Sequence, residues 1–370
     1  MCYLITIILI ILSLKYRTNN KLFIFFCLWL WILYTFSGTN ADFAMYKDLY
    51  IQYGTENLTM GNYLLFKIFC KICYILHCPY NLFLGIYSGI GLSLIGYIIN
   101  KYAKEKNIVL SLYAIFPFVF DVIQLKNFMA MAVIIFAVQF LIKEGTKKEK
   151  IINYCIYIIL NLIAIGFHTF AAVCLPFVVI AILKEKKVNI ICLIITITMV
   201  IIEVSQLFIP ILSLILPEEK VKAYFVWEKY RPGITSTIKS IIFIVLLIAG
   251  IQIFRAIKNR EKVELNNIDK FTIKLFNCFV CLIPAIIYLN QFMRLPRSLL
   301  VLYYIMAVNS MNFKVENLKS FLKNKNNIII GLFILSVIFI NYQTDIFSIN
   351  NQEATIQAVF EKNLLFNIGR

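Results

Sequence analysis

Long apolar runs joined by short loops, with lysine crowded into every second loop, constrain this chain more than any other feature. The runs cover residues 2 to 14, 21 to 36, 82 to 99, 108 to 123, 128 to 142, 151 to 166, 168 to 183, 188 to 215, 236 to 254, 271 to 288, 298 to 311 and 327 to 341. A perpendicular bilayer crossing takes about 20 residues, so flanking polar residues must complete the shorter ones. Across 370 residues, 61% are hydrophobic and 15% charged, and the mean hydropathy is +0.83. A water-soluble fold of this length cannot hide that much apolar surface. Closed barrels need strict alternation of side-chain character, which these Ile, Leu and Phe runs lack, so helices are the spanning elements. The expectation is an all-α, polytopic integral membrane bundle of about 12 transmembrane helices, with residues 1–370 forming a single transmembrane domain.

Positive charge sets the orientation. Lys15, Arg17 and Lys21 follow the first run; Lys101, Lys104 and Lys106 the third; Lys143, Lys147, Lys148 and Lys150 the fifth; Lys184, Lys186 and Lys187 the seventh. Arg255, Lys258, Arg260, Lys262 and Lys270 follow the ninth, and Lys314, Lys319, Lys323 and Lys325 the eleventh. These 22 of the 36 basic residues fall on one side, which the positive-inside rule makes cytoplasmic, with both termini outside. The parity requires that residues 61 to 81 do not cross. Residues 61–78 are therefore expected to form an amphipathic helix on the outer membrane surface. The net charge of +17 is accounted for by topology and calls for no nucleic-acid partner. No basic region precedes residues 1–14 and no small-residue cleavage site follows them, so a retained first helix is expected over a signal peptide.

Most of the ten cysteines are scattered through apolar runs, where a thiol acts as a small hydrophobe. Cys278 and Cys281 share a helix face, and Cys70, Cys73, His77 and Cys78 form a denser outer group whose spacing matches no standard zinc pattern. No metal and no cofactor is expected. Gly85 and Gly89 make a GxxxG that can pack either a neighbouring helix or a second copy of the chain.

The outer segments are 37–81, 216–235, 289–297 and the tail 342–370. They combine tyrosines with acids, amides and arginines, a mixture that suits sugar binding and equally suits an interfacial aromatic belt. Three features stand out. His168 lies at the outer junction of two spans with almost no loop between them, where an ionisable ring is a functional candidate; the alternative is a ring satisfied by a neighbour such as Thr169. Arg294 and Arg297 open the eleventh span around Pro296, three residues apart, and a guanidinium pair suits a phosphate or pyrophosphate; the alternatives are ion pairs with Asp42, Asp48 or Glu203, or lipid head groups. Glu203 is a buried charge in the eighth run that needs a partner in the bundle interior. Lys126, Lys229 and Arg231 complete an outward-facing set of cations.

The segment Asp42-Phe43-x-x-Tyr46-x-x-x-Tyr50, the His168-Thr169 pair followed by Pro176, and RLPRSLLVLYY from Arg294 together resemble the EpsG family. That family belongs with the Wzy-type polymerases of O-antigen, capsule and exopolysaccharide. The resemblance extends over nearly the whole chain in topology. Lys126 occupies a position often held by arginine in that family, keeping the charge without the planar fork.

The resemblance implies a GT-C-like architecture in a bacterial inner (plasma) membrane, with the site facing the periplasm or cell exterior. The implied reaction transfers a growing undecaprenyl-pyrophosphate-linked glycan to a lipid-linked repeat unit at the outer leaflet. Arg294 and Arg297 would hold the diphosphate and His168 would act as general base. Asp42, Tyr46 and Tyr50 would bind sugars, and Lys126, Lys229 and Arg231 would contact substrate. The implied partners are undecaprenyl-pyrophosphate-linked oligosaccharides, membrane lipid, and a chain-length regulator and flippase of the same pathway. Rival readings are a lipid-linked oligosaccharide flippase or other multispanning transporter, an O-antigen ligase and a membrane acyltransferase. Against transport, the halves show no convincing repeat and the polar inventory gathers on one face instead of the midplane.

Overall fold

The computed structural model describes residues 1–204, 233–288, 290–313, 324–343 and 352–366. Among the described residues every regular element is helical. The helices are α1 (Cys2–Lys15), α2 (Asn20–Thr35), α3 (Phe43–Thr55), α4 (Leu64–Ile75), α5 (Tyr80–Tyr102), α6 (Lys106–Ile115), α7 (Phe118–Ile123), α8 (Leu125–Ile142), α9 (Lys147–Phe167) and α10 (Phe177–Ile182). They continue with α11 (Glu185–Val204), α12 (Ile234–Arg260), α13 (Asn267–Asn277), α14 (Leu282–Tyr288), α15 (Arg294–Ser298), α16 (Leu300–Asn309), α17 (Lys325–Asn341) and α18 (Ile356–Phe360).

Among the described residues, five stretches are long and apolar enough to cross a membrane: α5, α8, α9, α12 and residues Asn267–Ile287. Shorter apolar helices occupy Cys2–Lys15, Asn20–Thr35, Lys106–Ile115, Thr169–Ile182 and Lys325–Asn341. Ile7, Ile11, Ile159, Leu335 and Phe339 stand exposed on these long and short helices, a surface that water would not tolerate in such quantity and that lipid accepts. The chain is thus a helical membrane protein.

Several runs expected as unbroken helices are interrupted. Pro117, which has no N–H to give, separates α6 from α7 within the fourth run. The seventh run opens as a 3-10 helix over Thr169–Cys174, and the tenth is divided by a 3-10 turn at Cys278–Cys281. The segment 61–78 does contain a helix, α4, with Phe66, Cys70 and Cys73 buried while Ile72 and Ile75 are exposed. Residues 37–61 were expected as loop, yet they contain α3, whose buried Tyr46, Tyr50 and Gly54 recur every fourth residue and face α4. A Cβ at Gly54 would run into the Tyr74 ring, so only glycine permits this approach of α3 to α4.

Contacts divide the chain into two compact units. The first holds residues Met1–Val178, Ser298–Asn309 and Ile346–Arg370. Its centre is α8, buried along nearly its whole length and packed against α5 and α9. Helix α5 also packs on α2. There the GxxxG is used within the chain: Trp31 donates from its indole N–H to Gly85 O at 2.7 Å and lies against Gly89.

The second unit holds Val179–Arg297 and Ser310–Asp345. In it α12 packs on α17 and α13, and α11 on α14. The turn between α12 and α13 is locked by Lys258 and Asp269, whose Nζ and Oδ2 lie 2.7 Å apart with both side chains buried. Asp269 also closes a capping box with Asn266. Side-chain caps recur in the lysine-rich loops: Asn19 caps α2, Thr146 and Glu149 form a capping box on α9, and Asn324 caps α17.

Candidate active site

In the first unit a cation, three aromatic rings and a histidine converge from four places in the sequence. Lys126 stands in the first turn of α8 and its Nζ lies 4.1 Å from the centroid of the Tyr63 ring, 5.5 Å from Tyr46 and 5.6 Å from Phe66. All three separations are within the range in which a ring face attracts an ammonium. The ring of Tyr63 in turn lies 5.6 Å from that of His168, tilted by 46°. Tyr63 therefore bridges the only two groups in this cluster that can carry positive charge.

Each member is held by its neighbours. The turn carrying Lys126 is tied down by Asp121, whose carbonyl accepts from Tyr34 Oη at 2.8 Å and whose carboxylate accepts from Tyr113 Oη at 2.7 Å. One residue past the lysine, Asn127 Nδ2 donates to Ser298 Oγ at 3.3 Å. Tyr63 is the N-cap of α4 and sits in the left-handed region, φ 63°. For a bulky residue that conformation costs energy and persists only where the surroundings enforce it, a pattern concentrated at functional positions. Helix α4 also approaches α9 closely, since a Cβ on Gly166 would meet Leu65 Cγ at 2.6 Å.

His168 ends α9 and begins the 3-10 helix. Its N–H bonds to Ala164 O at 2.9 Å, and its Nδ1 accepts from the Phe170 N–H at 3.1 Å. An accepting Nδ1 carries no hydrogen, so in the neutral ring the proton resides on Nε2. The 3-10 segment is fixed from the other end by Tyr157 Oη, which donates to Cys174 O at 2.7 Å.

The other expected residues fall as follows. Tyr46 lines the cluster and is buried. Tyr50 is buried too, and its hydroxyl donates to Cys78 O at 2.6 Å; burial, with the nearby thiols adding to it, pushes this phenol up to about 12. Asp42 is half-buried at the N-cap of α3, where its N–H bonds to Asn40 Oδ1. In the second unit, Arg294 is half-buried and Arg297 buried on α15, with Pro296 inside the first turn. Arg297 Nε donates to Asn341 Oδ1 at 3.1 Å, and Asn341 is itself anchored to Val337 O. Glu203 falls in the last turn of α11, its side chain lying outside what is described, and Lys229 and Arg231 lie outside the described residues.

Sequence reasoning missed Tyr63 and Asp121. For Asp121 a signal was present, a single acid within FPFVFDVIQLK, of the same kind that singled out Glu203. For Tyr63 there was none, because its role depends on partners brought in by α3, α8 and the end of α9.

The family model described as EpsG family matches residues 20–355. The chain belongs to the EpsG family. This is a family of Wzy-like polymerases, so membership makes the protein a membrane-embedded polysaccharide polymerase of glycosyltransferase type. No curated protein and no solved structure matches this EpsG-family chain.

Proposed function

We propose that this EpsG-family polymerase transfers a growing glycan from undecaprenyl pyrophosphate to a sugar hydroxyl of a lipid-linked repeat unit, at the outer leaflet of a bacterial plasma membrane. The acceptor oxygen forms a bond to the anomeric carbon, the bond from that carbon to the diphosphate breaks, and the acceptor proton leaves. The donor is already activated by its leaving group, so the protein has to position two sugars and stabilise charge on the departing diphosphate. The observation that carries the site is the Lys126–Tyr63–His168 cluster: cation, aromatic face and imidazole side by side, beside segments rich in tyrosine.

In this reading Lys126 and the Tyr46 and Tyr63 rings receive sugar and diphosphate, while Asp42 accepts from a sugar hydroxyl. Arg294 and Arg297 are proposed to bind diphosphate in the electrostatic role a metal plays elsewhere, and Lys229 and Arg231 to contact substrate. His168, with Nδ1 committed to the Phe170 N–H, offers Nε2–H as a donor to a phosphate or sugar oxygen. This differs from a base, since taking a proton at Nε2 requires the neutral ring to carry its hydrogen on Nδ1, which would break the bond from the Phe170 N–H. The acceptor proton then passes to a diphosphate oxygen as the glycosidic bond breaks. An apolar groove of about 1060 Å³ between α2 and α5, lined by Phe23, Leu28, Trp31, Gly89 and Ile90, has the character a polyprenyl tail requires.

The test is leaflet-resolved detection of lipid-linked repeat units in cells that carry the rest of the pathway and lack this chain. Single units accumulating on the outer leaflet are expected. Units trapped on the inner leaflet would identify a flippase instead, and long polymer on the lipid carrier that fails to reach its final acceptor would identify a ligase.

A further inference from the structure

The end of α4 brings two cysteines together. His77 adopts φ 53°, its N–H bonds to Tyr74 O at 2.9 Å, and the N–H of Cys78 reaches back to Cys73 O, also at 2.9 Å. This pair of bonds defines a Schellman turn, in which the residue after the left-handed position folds over the one three places before the cap, normally as a hydrophobic contact. Here both places are cysteine. The Cys73 thiol is buried and within hydrogen-bonding reach of the Cys78 thiol, which is half-buried.

We infer that Cys73 and Cys78 are a disulfide-forming pair, closed when this turn faces an oxidising compartment. The inference rests on the topology proposed above, which puts residues 61–81 outside, because such bonds persist on that side of the membrane and are reduced in the cytosol. Backbone bonding across the turn supplies the proximity that sulfur–sulfur bonding demands. The oxidant is an external disulfide, either a protein dithiol carrier in its oxidised form or a small-molecule disulfide. The more accessible Cys78 thiolate attacks one of its sulfurs, giving a mixed disulfide and releasing the carrier's first thiol. The Cys73 thiolate then displaces the second carrier sulfur from Cys78, so the carrier leaves with two thiols and the chain keeps one S–S bond. Burial pushes the Cys73 thiol up to about 11, so the second step accelerates with rising pH. The closed ring would fix the Cys78 carbonyl, which accepts the Tyr50 hydroxyl, and so would staple the end of α4 to α3.

The experiment uses the full chain in intact cells. Free thiols are blocked with a permeant alkylator, the protein is denatured and reduced, and newly freed thiols are labelled and mapped. Label on Cys73 and Cys78 is expected, with Cys73→Ser leaving Cys78 among the blocked thiols and Cys78→Ser doing the same for Cys73. In parallel, Asn57→Cys, in the exposed α3–α4 connection, reports sidedness through a membrane-impermeant maleimide. If Asn57→Cys is labelled from outside while Cys73 and Cys78 are found alkylated as free thiols, the disulfide is wrong and the topology survives. If Asn57→Cys is shielded, the topology fails, and the purified chain treated with oxidised glutathione decides the pairing: a Cys73–Cys78 bond supports it and two free thiols overturn it.

Discussion

The ammonium of Lys126 lies 4.1 Å from the ring of Tyr63, and the same ring lies 5.6 Å from His168. One aromatic ring thus stands next to both groups of the cluster that can carry positive charge. Removing the charge by Lys126→Met while keeping the apolar stem is expected to cut the polymerisation rate roughly 5- to 30-fold, equivalent to about 1 to 2 kcal/mol of lost cation–π attraction. Lys126→Arg and Tyr63→Phe, which keep a cation and a ring face, are expected to stay near the parent rate, whereas Tyr63→Leu falls with Lys126→Met. A Tyr63→Leu enzyme that polymerises normally would remove the cluster from the site.

His168→Ala is expected to lower the rate by about 10² to 10³, the usual loss for a hydrogen-bond donor aimed at developing charge. His168→Gln, whose amide can stand in for Nε2–H, should retain about tenfold more activity than the alanine variant. Equal inactivity of the two would point back to a general base, which glutamine cannot replace. Polymer length and rate on lipid-linked repeat units are the readouts.

Arg297→Lys keeps the charge and loses the planar fork, including the Nε bond to Asn341. Polymer formation should be severely reduced while membrane insertion is unchanged. Asn341→Ala removes only the partner, with a cost of about 1.5 to 3 kcal/mol for a hydrogen bond to a charged group, and should give an intermediate phenotype. Wild-type polymer from Arg297→Lys would show that bidentate anion binding is not what this residue does.

The buried Lys258–Asp269 pair predicts a stability effect without a direct effect on chemistry. Lys258→Met leaves a carboxylate buried and is expected to destabilise the protein by about 3 to 5 kcal/mol. Lys258→Met with Asp269→Asn should recover part of that loss. Thermal unfolding in detergent distinguishes them, and an unchanged midpoint for the single variant would contradict the reading.

Orientation is directly measurable. Reporter fusions in 143–150 and 255–270 should register as cytoplasmic, and fusions in 37–61 and at the C-terminus as external. A crossing by residues 61–81 would invert every later assignment.

Much of this organisation was legible from residues alone, for reasons that differ by element. Apolar runs and lysine loops report on solvent, a property each residue carries by itself, so the helical membrane character followed directly. Helix α3 was harder to see, because its low apolar content hides a buried stripe made of two tyrosines and a glycine. The break at Pro117 was readable in principle and was overridden by the apolar length of the run around it. Sequence placed His168 at a helix junction, but the direction of its proton depends on the Phe170 N–H, which the chain presents only once the 3-10 turn has formed. Lys126 read as a surface cation because nothing near it in sequence announces the rings of Tyr46, Tyr63 and Phe66.

Helix α4 is set between two neighbours that approach it through glycine, Gly54 on α3 and Gly166 on α9. The side chains that a methyl group at these places would meet, Tyr74 and Leu65, are not members of the cluster, yet both belong to the helix that Tyr63 caps, so the added group must displace it. The tolerance of this protein to random mutation should therefore be uneven in an unexpected way: the most fragile positions will include two that carry no charge, no ring and no reactive atom. A screen for loss of polymer would recover Gly54 and Gly166 alongside Lys126 and His168, and inspection of their chemistry alone would leave them unexplained.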